Sequence, residues 1–516
     1  MLNLFLVFIV LFLLAIFTKT LRFLHFAQKR WFRIDRLKVF VSQESGISQI
    51  SNPINIFFYG LLVVALLSAP QFNMHAALLV IFAEILSVWN KGLYRPKFTL
   101  KVLLLLGMTL ATSLLIPLYF SQFTAFLAVF LLLPAILMFY IILLKPFEFV
   151  VFKTLYKLAE IKVKLHPNLK VVAITGSFGK SSTKEFISAL VEKDFNVLKT
   201  PKNTNTEIGI TKLILKNLKK SHNLLILEMG AYKKGEIQTM CQIARPHISV
   251  LTAVDVQHLA LFGSKTKLAQ AKAEILLNMH DTATAFVNLD SRSVATALNY
   301  VYAQSPLDMR IQTYGKAPNS QHKMSAGKLQ DKHLIFNLDK NSYKTQIYGT
   351  HFANNIAAAI LVAQKLGIKA DIIKKRVAKL SNTLITSQLH QHSKKFLVFN
   401  DSFNSNPQGF LAAIDTIQQT PNVKHKYLLT SGMLELGSLN ASEHRKVFAQ
   451  ACKVFDKIIL TKKHLVQYLP KSYKNYKVLT QPQEIIAYFN KTLKPSDIVL
   501  LEGHTFELVC KYFQKK

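Results

Sequence analysis

Residues 170–182, Lys170-Val171-Val172-Ala173-Ile174-Thr175-Gly176-Ser177-Phe178-Gly179-Lys180-Ser181-Ser182, carry the reading that decides the fold. Lys170 to Ile174 reads as a buried strand and a helix begins near Lys180, which leaves a glycine turn between them. Such a turn aims backbone N–H groups and a helix amino terminus at phosphate oxygens. The lysine adds charge and the Ser181 hydroxyl reaches Mg²⁺. Thr175, Gly176, Ser177, Phe178, Gly179, Lys180, Ser181 and Ser182 are therefore expected to form a nucleoside-triphosphate loop (P-loop). A fortuitous glycine turn would not need strand, glycines, Lys-Ser and helix in that order. One departure is informative: the full eight-residue pattern has a glycine five positions before Gly179, and Ile174 stands there.

Outward from the loop, short apolar runs alternate with helical segments. The runs are Asn223–Gly230, His247–Val254 and Thr284–Asp290, then Leu397–Asp401, Lys426–Gly432, Lys457–Thr461 and Asp497–Gly503. This alternation predicts α/β architecture in two units with mainly parallel sheets. The boundary is placed near Leu384 to Leu389, between a helix over residues 369–381 and a strand that begins near Phe396. The plan is a central ATP-binding domain over 169–384 and a Rossmann-like C-terminal domain over 385–516.

The 516 residues are too many for one core, and half are apolar while only 18% are charged. The mean hydropathy is +0.24, and 37 phenylalanines exclude disorder as the main state. The apolar excess lies in residues 1–145. Leu2 to Thr18, Ile54 to Ala69, Ala76 to Trp89, Val102 to Phe120 and Phe123 to Leu144 read as five transmembrane helices, the third being the shortest. Lys19, Arg22, Lys29, Arg30, Arg33, Arg36 and Lys38 follow the first run, Lys91, Arg95, Lys97 and Lys101 the third, and Lys145 the fifth. The loops at Gln71-Phe72-Asn73 and Ser121-Gln122 carry neither Lys nor Arg. By the positive-inside rule the amino terminus is outside and the remainder cytoplasmic, in a multi-pass protein of the plasma membrane. A cleaved secretory signal has its positive residues before the apolar run, and here they follow it. Residues 146–168 read as a juxtamembrane connector whose amphipathic helix either lies among headgroups or packs on the next domain.

The net charge is +36, from 64 Lys and Arg against 28 Asp and Glu. It points to anionic partners, and without a nucleic-acid-binding motif these are a lipid surface and phosphorylated ligands rather than nucleic acid. Cys241, Cys452 and Cys510 are far apart and odd in number, which fits a reducing cytosol with no disulfide framework or zinc site.

The shortened loop T-G-x-x-G-K-S resembles that of the Mur ligase family, ATP-dependent amide-forming enzymes that build the peptide of peptidoglycan. Within that family the resemblance is to the branch that adds D-alanyl-D-alanine. Further matches follow in chain order. Thr200–Gly209 is similar to a T-x-G-N-x-N-N-x-I-G loop that faces substrate, with Asn203 and Asn205. Leu227–Gly230 resembles an E-x-G segment, Thr252–Ser264 a stretch carrying His258, and Ala271–Glu274 an A-K-x-E motif. Gly349–Asn355 resembles G-x-H-x-x-x-N, Asp401–Pro407 resembles D-S-Y-N-A-N-P, and Gly432–Gly437 with His444 completes the set. The resemblance covers nearly all of residues 169–510.

Each position has a chemical reason as well. Glu228 ends a buried strand, where a lone carboxylate is costly unless it meets a cation; with Ser181 and nucleotide phosphates it makes an oxygen-rich Mg²⁺ site. Capping is its competing reading. His258 follows the next strand at the carboxyl edge, where ligands collect in such sheets, and the resemblance makes it a ligand of a second Mg²⁺. A helix-surface role competes for Lys272; the resemblance implies that it is carbamylated by CO₂ and holds that second metal. The resemblance also sets Asn355 on the adenine, with a helix cap as alternative, and brings Asp401 to the nucleotide after closure. Asn404 and Asn406 face the peptide substrate or only form turns.

Three departures accompany the matches. Ser387-Gln388 stand where the family has Gly-Arg, leaving Lys394 or Lys395 to supply the missing charge. Glu502-Gly503-His504 replace K-G-S. Membrane spans replace the domain that grips the UDP-sugar. The expected function is a membrane-anchored ligase that forms an amide through an acyl phosphate. Its partners are ATP, Mg²⁺, a muramyl peptide that is UDP-linked or lipid-linked, an amine such as D-alanyl-D-alanine, and the bilayer. The alternative is a nonenzymatic ATP-binding scaffold or regulator of cell-wall synthesis. The oligomeric state is not legible.

Overall fold

The structure is a computed structural model. It describes residues 2–30, 95–120, 123–202, 204–255, 259–291, 293–305, 310–330, 333–384, 388–393, 395–402, 405–433, 439–503 and 505–514, with Phe32, Arg33, Ile34, Leu37, Ile81 and Leu436. They form two compact units, Met1–Lys153 and Thr154–Lys516.

In the first unit, α1 (Leu2–Lys29), α2 (Leu100–Phe120) and α3 (Phe123–Leu143) pack together, and α4 (Lys145–Lys164) follows after a break at Leu144. Three stretches, Val7–Lys29, Leu100–Phe120 and Thr124–Lys164, are long and apolar enough to cross a membrane. The expected second and third spans lie outside the described residues. Phe8, Phe12 and Ile16 of α1 interlock with Phe126, Phe130 and Leu133 of α3, and the Phe12 and Phe126 rings meet edge to face at 5.0 Å. Leu103, Leu115, Leu132, Phe139 and Ile142 stay exposed, more apolar surface than a helical bundle leaves to water.

Lys19, Arg22 and Lys29, which follow the first apolar run, stand on α1 because the helix runs on to Lys29. Lys19 and Arg22 are buried, and Lys19 Nζ donates to the Phe130 carbonyl at 2.8 Å. That bond offsets part of the cost of burying a charge.

The second unit opens on the carboxyl half of α4. Ala159 is fully buried, with Tyr156 and Val163 packed beside it against the core, and Lys162 Nζ donates to the Leu215 carbonyl at 2.9 Å. This half of the connector packs on a domain instead of lying free among headgroups.

A seven-stranded parallel sheet follows in the order β2-β3-β1-β4-β5-β6-β7. Its strands are β1 (Lys170–Thr175), β2 (Val197–Lys199), β3 (Leu224–Glu228), β4 (Ile248–Leu251), β5 (Thr284–Asn288), β6 (Ile311–Gly315) and β7 (His322–Lys323). The helices between them are α5 (Lys180–Val191), α6 (Glu207–Asn217), α7 (Glu236–Ala244), α8 (Lys265–Leu277) and α9 (Val294–Tyr302). Alternate residues of β1 serve opposite faces: Val172 and Ile174 join one core, Val171 and Ala173 the other. Both faces are covered, which is why the parallel strands read as continuous apolar runs. Each buried Val, Ile or Leu side chain contributes roughly 1.5 to 3 kcal/mol.

A three-stranded antiparallel sheet, β8 (Lys328–Gln330), β9 (His333–Leu338) and β10 (Asn341–Thr345), precedes α10 (Phe352–Lys365) and α11 (Ala370–Val377). The last sheet has the order β11-β12-β16-β13-β14-β15 and is parallel except at its β11 edge. It comprises β11 (Gln388–Gln391), β12 (Leu397–Asp401), β13 (Lys426–Thr430), β14 (Lys457–Leu460), β15 (Tyr476–Val478) and β16 (Ile498–Glu502). With it go α12 (Pro407–Gln418), α13 (Asn440–Val454), α14 (Pro482–Thr492) and α15 (Glu507–Phe513). The β11 strand is an addition to the sequence reading, because Gln-Leu-His-Gln has no apolar run to announce an edge strand.

Candidate functional site

The glycine loop is built by two positions that tolerate no side chain. Gly179 has φ +81°, and a Cβ there would stand 2.5 Å from Asn355 Oδ1. Gly176 has φ +154°, and a Cβ would meet Thr252 Oγ1 at 2.1 Å. Both backbone conformations favour glycine. Thr252 Oγ1 donates to the Phe178 carbonyl at 2.6 Å, Ser177 Oγ to the Asp255 carbonyl at 2.7 Å and Thr175 Oγ1 to the Met229 carbonyl at 2.7 Å. The loop is thus pinned to the ends of β3 and β4 and opens directly into α5. Ser182 lies in the first turn of α5, beside Ser181.

Lys180 Nζ donates back to the Gly176 carbonyl at 2.7 Å and the Ser177 carbonyl at 3.3 Å. Burial holds its pKa below the usual lysine value, and the Glu228 charge opposes that shift.

Glu228, at the carboxyl end of β3, is 4% exposed. Its Oε2 accepts from Ser181 Oγ at 2.8 Å and its Oε1 from Asn205 Nδ2 at 3.0 Å. Lys184 Nζ lies 3.9 Å from Oε2 and donates to the Thr200 carbonyl at 2.7 Å. Capping does not account for Glu228, since its oxygens go to side chains rather than to helix N–H groups. Lys184, buried on the inner face of α5, was missed by the sequence reading. Its signal is a lysine among apolar helix positions, four residues after Lys180.

Lys272 is buried on α8. Burial first, and repulsion from Lys180 second, pull its pKa down to about 7, against the pull of Glu236, Glu274 and Glu228. The surface role is thereby excluded. Glu274 accepts from the N–H groups of Gly235 at 2.6 Å and Gln238 at 3.0 Å, fixing the start of α7. Asn355 is the fourth residue of α10 and does not cap it, His351 standing at the cap position. Its carboxamide lies against Gly179.

The structure therefore gathers Thr175 to Ser182, Asn205, Glu228, Lys272 and Asn355 around one loop. Asn203, His258 and Asn404 lie outside the described residues. Asp401 and Asn406 belong to the C-terminal domain: Asp401 ends β12, and Asn406 caps α12 by accepting from Gly409 N at 2.9 Å. The two α/β domains touch where Thr350 Oγ1 donates to Asp415 Oδ2 and Tyr348 OH to Thr420 Oγ1, each at 2.8 Å. His444, buried, accepts from Met433 N at 2.9 Å and bonds the Asn440 carbonyl at 2.8 Å, which fixes the turn after β13.

Of the two lysines expected to supply the missing charge, Lys395 (φ +63°) precedes the amino end of β12, six residues and about 20 Å along the extended chain from Asp401. Lys394 and the Gln388 side chain lie outside the described residues.

Comparison with known proteins agrees with the fold. A Mur ligase middle-domain family model matches residues 174–363, and a Mur ligase, glutamate ligase domain matches residues 387–505. The chain belongs to the Mur ligase family. Among curated relatives, the UDP-N-acetylmuramoyl-tripeptide--D-alanyl-D-alanine ligase of Synechocystis is 31% identical over 55% of this chain and 59% of its own. That of Rickettsia prowazekii is 26% identical over 68% of this chain and 79% of its own. The chain thus spans about three fifths of the length of the Synechocystis relative. The fold is shared with MurF of Acinetobacter baumannii (TM-score 0.61, 22% identity, 70% of this chain and 81% of that one). It is shared equally with MurF ligase of Thermotoga maritima, solved with ADP (TM-score 0.61, 24% identity, 70% and 83%).

Proposed function

We propose that the protein is a membrane-anchored, ATP-dependent ligase of peptidoglycan synthesis. It activates a peptide carboxylate on a muramyl sugar as an acyl phosphate and joins it to an amine, D-alanyl-D-alanine or a relative of it. The observation that carries this reading is the pairing of Ser181 with Glu228 beneath a glycine loop that no side chain can fill, within a Mur ligase fold.

The residues fit the groups the reaction needs. Gly176 and Gly179 leave the loop open to triphosphate oxygens, and the Lys180 ammonium, now held by loop carbonyls, is the charge available to them. Asn355 beside Gly179 offers a carboxamide to the base. Ser181 Oγ and Glu228 are hard oxygen donors suited to Mg²⁺, and Lys184 keeps the carboxylate in place. As an amine Lys272 is no ligand for such a cation; as a carbamate it is anionic and suitable. Bound Mg²⁺ would supply the charge that lets two anions approach. In-line attack then depends on the loop N–H groups and Lys180 orienting the terminal phosphate.

The apolar helices of the first unit support residence in the plasma membrane with the catalytic domains in the cytoplasm. With apolar helices where the resemblance leads one to expect a UDP-gripping domain, a lipid-linked muramyl peptide is an acceptor to set beside the UDP-linked one. Steady-state phosphate release by the full chain in detergent should require ATP, a muramyl peptide and an amine together. Release that needs neither acceptor nor amine would favour the scaffold reading.

A further inference from the structure

Three strands of the last sheet end together. Glu502 of β16 pairs in register with Asp401 of β12 on one side and Thr430 of β13 on the other. In-register residues of neighbouring parallel strands face the same way about 4.8 Å apart, so two carboxyl groups stand side by side at the carboxyl edge. Glu502 is fully buried. Among the described residues neither of its oxygens has a hydrogen-bond partner, and the nearby Ser405 hydroxyl has none either. Gly503, at φ +80°, keeps the backbone close: a Cβ there would lie 2.7 Å from the Gly432 carbonyl and 2.9 Å from Ser431 Oγ. The groups that converge are carboxylates, hydroxyls and a carbonyl.

A fold does not keep a buried acid unpaired beside another acid without cost. Burial, and then the Asp401 charge, raise the Glu502 pKa well above the carboxylate range. The cost is removed when a cation with several N–H donors enters, since every converging group can accept. Asp401 and Ser405 are partly exposed and give the way in. Among the described residues no set of three His, Cys, Asp or Glu could hold a metal ion. In a chain of net charge +36, long-range attraction does not bring cations in, so a cationic substrate needs such a local position.

We propose that Glu502, with Asp401 beside it, binds the ammonium group of the amine substrate as it arrives, an inference that rests on the ligase function proposed above. Its test is calorimetric titration of the full chain in detergent at pH 8 with D-alanyl-D-alanine, with L-lysine, with N-acetyl-D-alanyl-D-alanine and with Mg²⁺. At least one free amine should bind, the acetylated dipeptide should not, and Glu502→Gln should weaken the amine by about tenfold or more. Asp401→Asn should weaken it in the same direction, and an unchanged unfolding temperature of both variants shows that the fold is intact. Equal amine binding by Glu502→Gln, equal binding of the acetylated probe, or loss of Mg²⁺ binding alone would overturn the proposal. Amide formation in the same preparations separates the two ideas. A wild type that binds amine through Glu502 yet makes no amide retains the position and loses the ligase reading. Active ligase whose amine KM is untouched by Glu502→Gln does the reverse.

Discussion

Carbon dioxide adds only to a neutral amine, so the protonation of Lys272 decides whether it can become a carbamate. With its pKa pulled to about 7 by burial and by Lys180, Lys272 is about 90% neutral at pH 8, against about 0.4% for an ordinary lysine near 10.4. The reactive fraction is raised roughly two-hundredfold by the site. The sign follows from the direction of the shift: below pH about 7 the group is an ammonium and inert, and above it the amine is available. Metal-free full-length protein held at constant dissolved ¹³CO₂ should therefore build up a carbamate carbon resonance at an initial rate that rises through pH about 7 and then levels off, each carbamate formed releasing one proton to the buffer. Lys272→Ala should lack the resonance and lose turnover, with partial recovery when a small carboxylate is added. A carbamate that forms equally in Lys272→Ala, or only toward pH 10, would exclude carbamylation of Lys272 near neutral pH.

Other consequences are as direct. Lys180→Ala should abolish ATP turnover while leaving the unfolding temperature and membrane insertion intact, since Lys180 meets loop carbonyls rather than the core. Glu228→Ala should raise the Mg²⁺ needed for half-maximal activity at least tenfold, because it strands Ser181, Asn205 and Lys184 around a missing carboxylate. Gly179→Ala should weaken nucleotide binding and cost about 1 to 2 kcal/mol in unfolding by denaturant, from the left-handed backbone alone. Reporters fused after Phe72 and Gln122 should appear outside and one after Lys38 inside; a cytoplasmic signal at Phe72 would change the count of spans.

The sequence made the parallel sheets legible where both faces are covered. Val171 to Ile174, Leu224 to Leu227 and Ile498 to Leu501 are continuous apolar runs because each residue enters one core or the other. It did not reveal β11, whose polar edge needs no apolar run, or the antiparallel β8–β10 sheet, where Lys344 and Asn337 face outward between buried neighbours. The loop was legible because glycines, lysine and serine are required there by backbone geometry. The roles of Lys184 and Thr252 were not, since what each does depends on a chain segment distant in sequence: Thr252 holds the Phe178 carbonyl and Lys184 the Thr200 carbonyl. Glu502 stood out in sequence only as a departure, and its unpartnered burial is a property of three strand ends meeting.

In the proposed reaction a carboxylate is activated by phosphoryl transfer before an amine attacks it. An acceptor muramyl peptide labelled with ¹⁸O in its terminal carboxylate, incubated with the full chain, ATP and amine, tests this directly by mass analysis of the released phosphate. One ¹⁸O should appear in phosphate for each amide formed, whether the acceptor is UDP-linked or lipid-linked. Amide formed with unlabelled phosphate, or phosphate released without amide, would contradict the account.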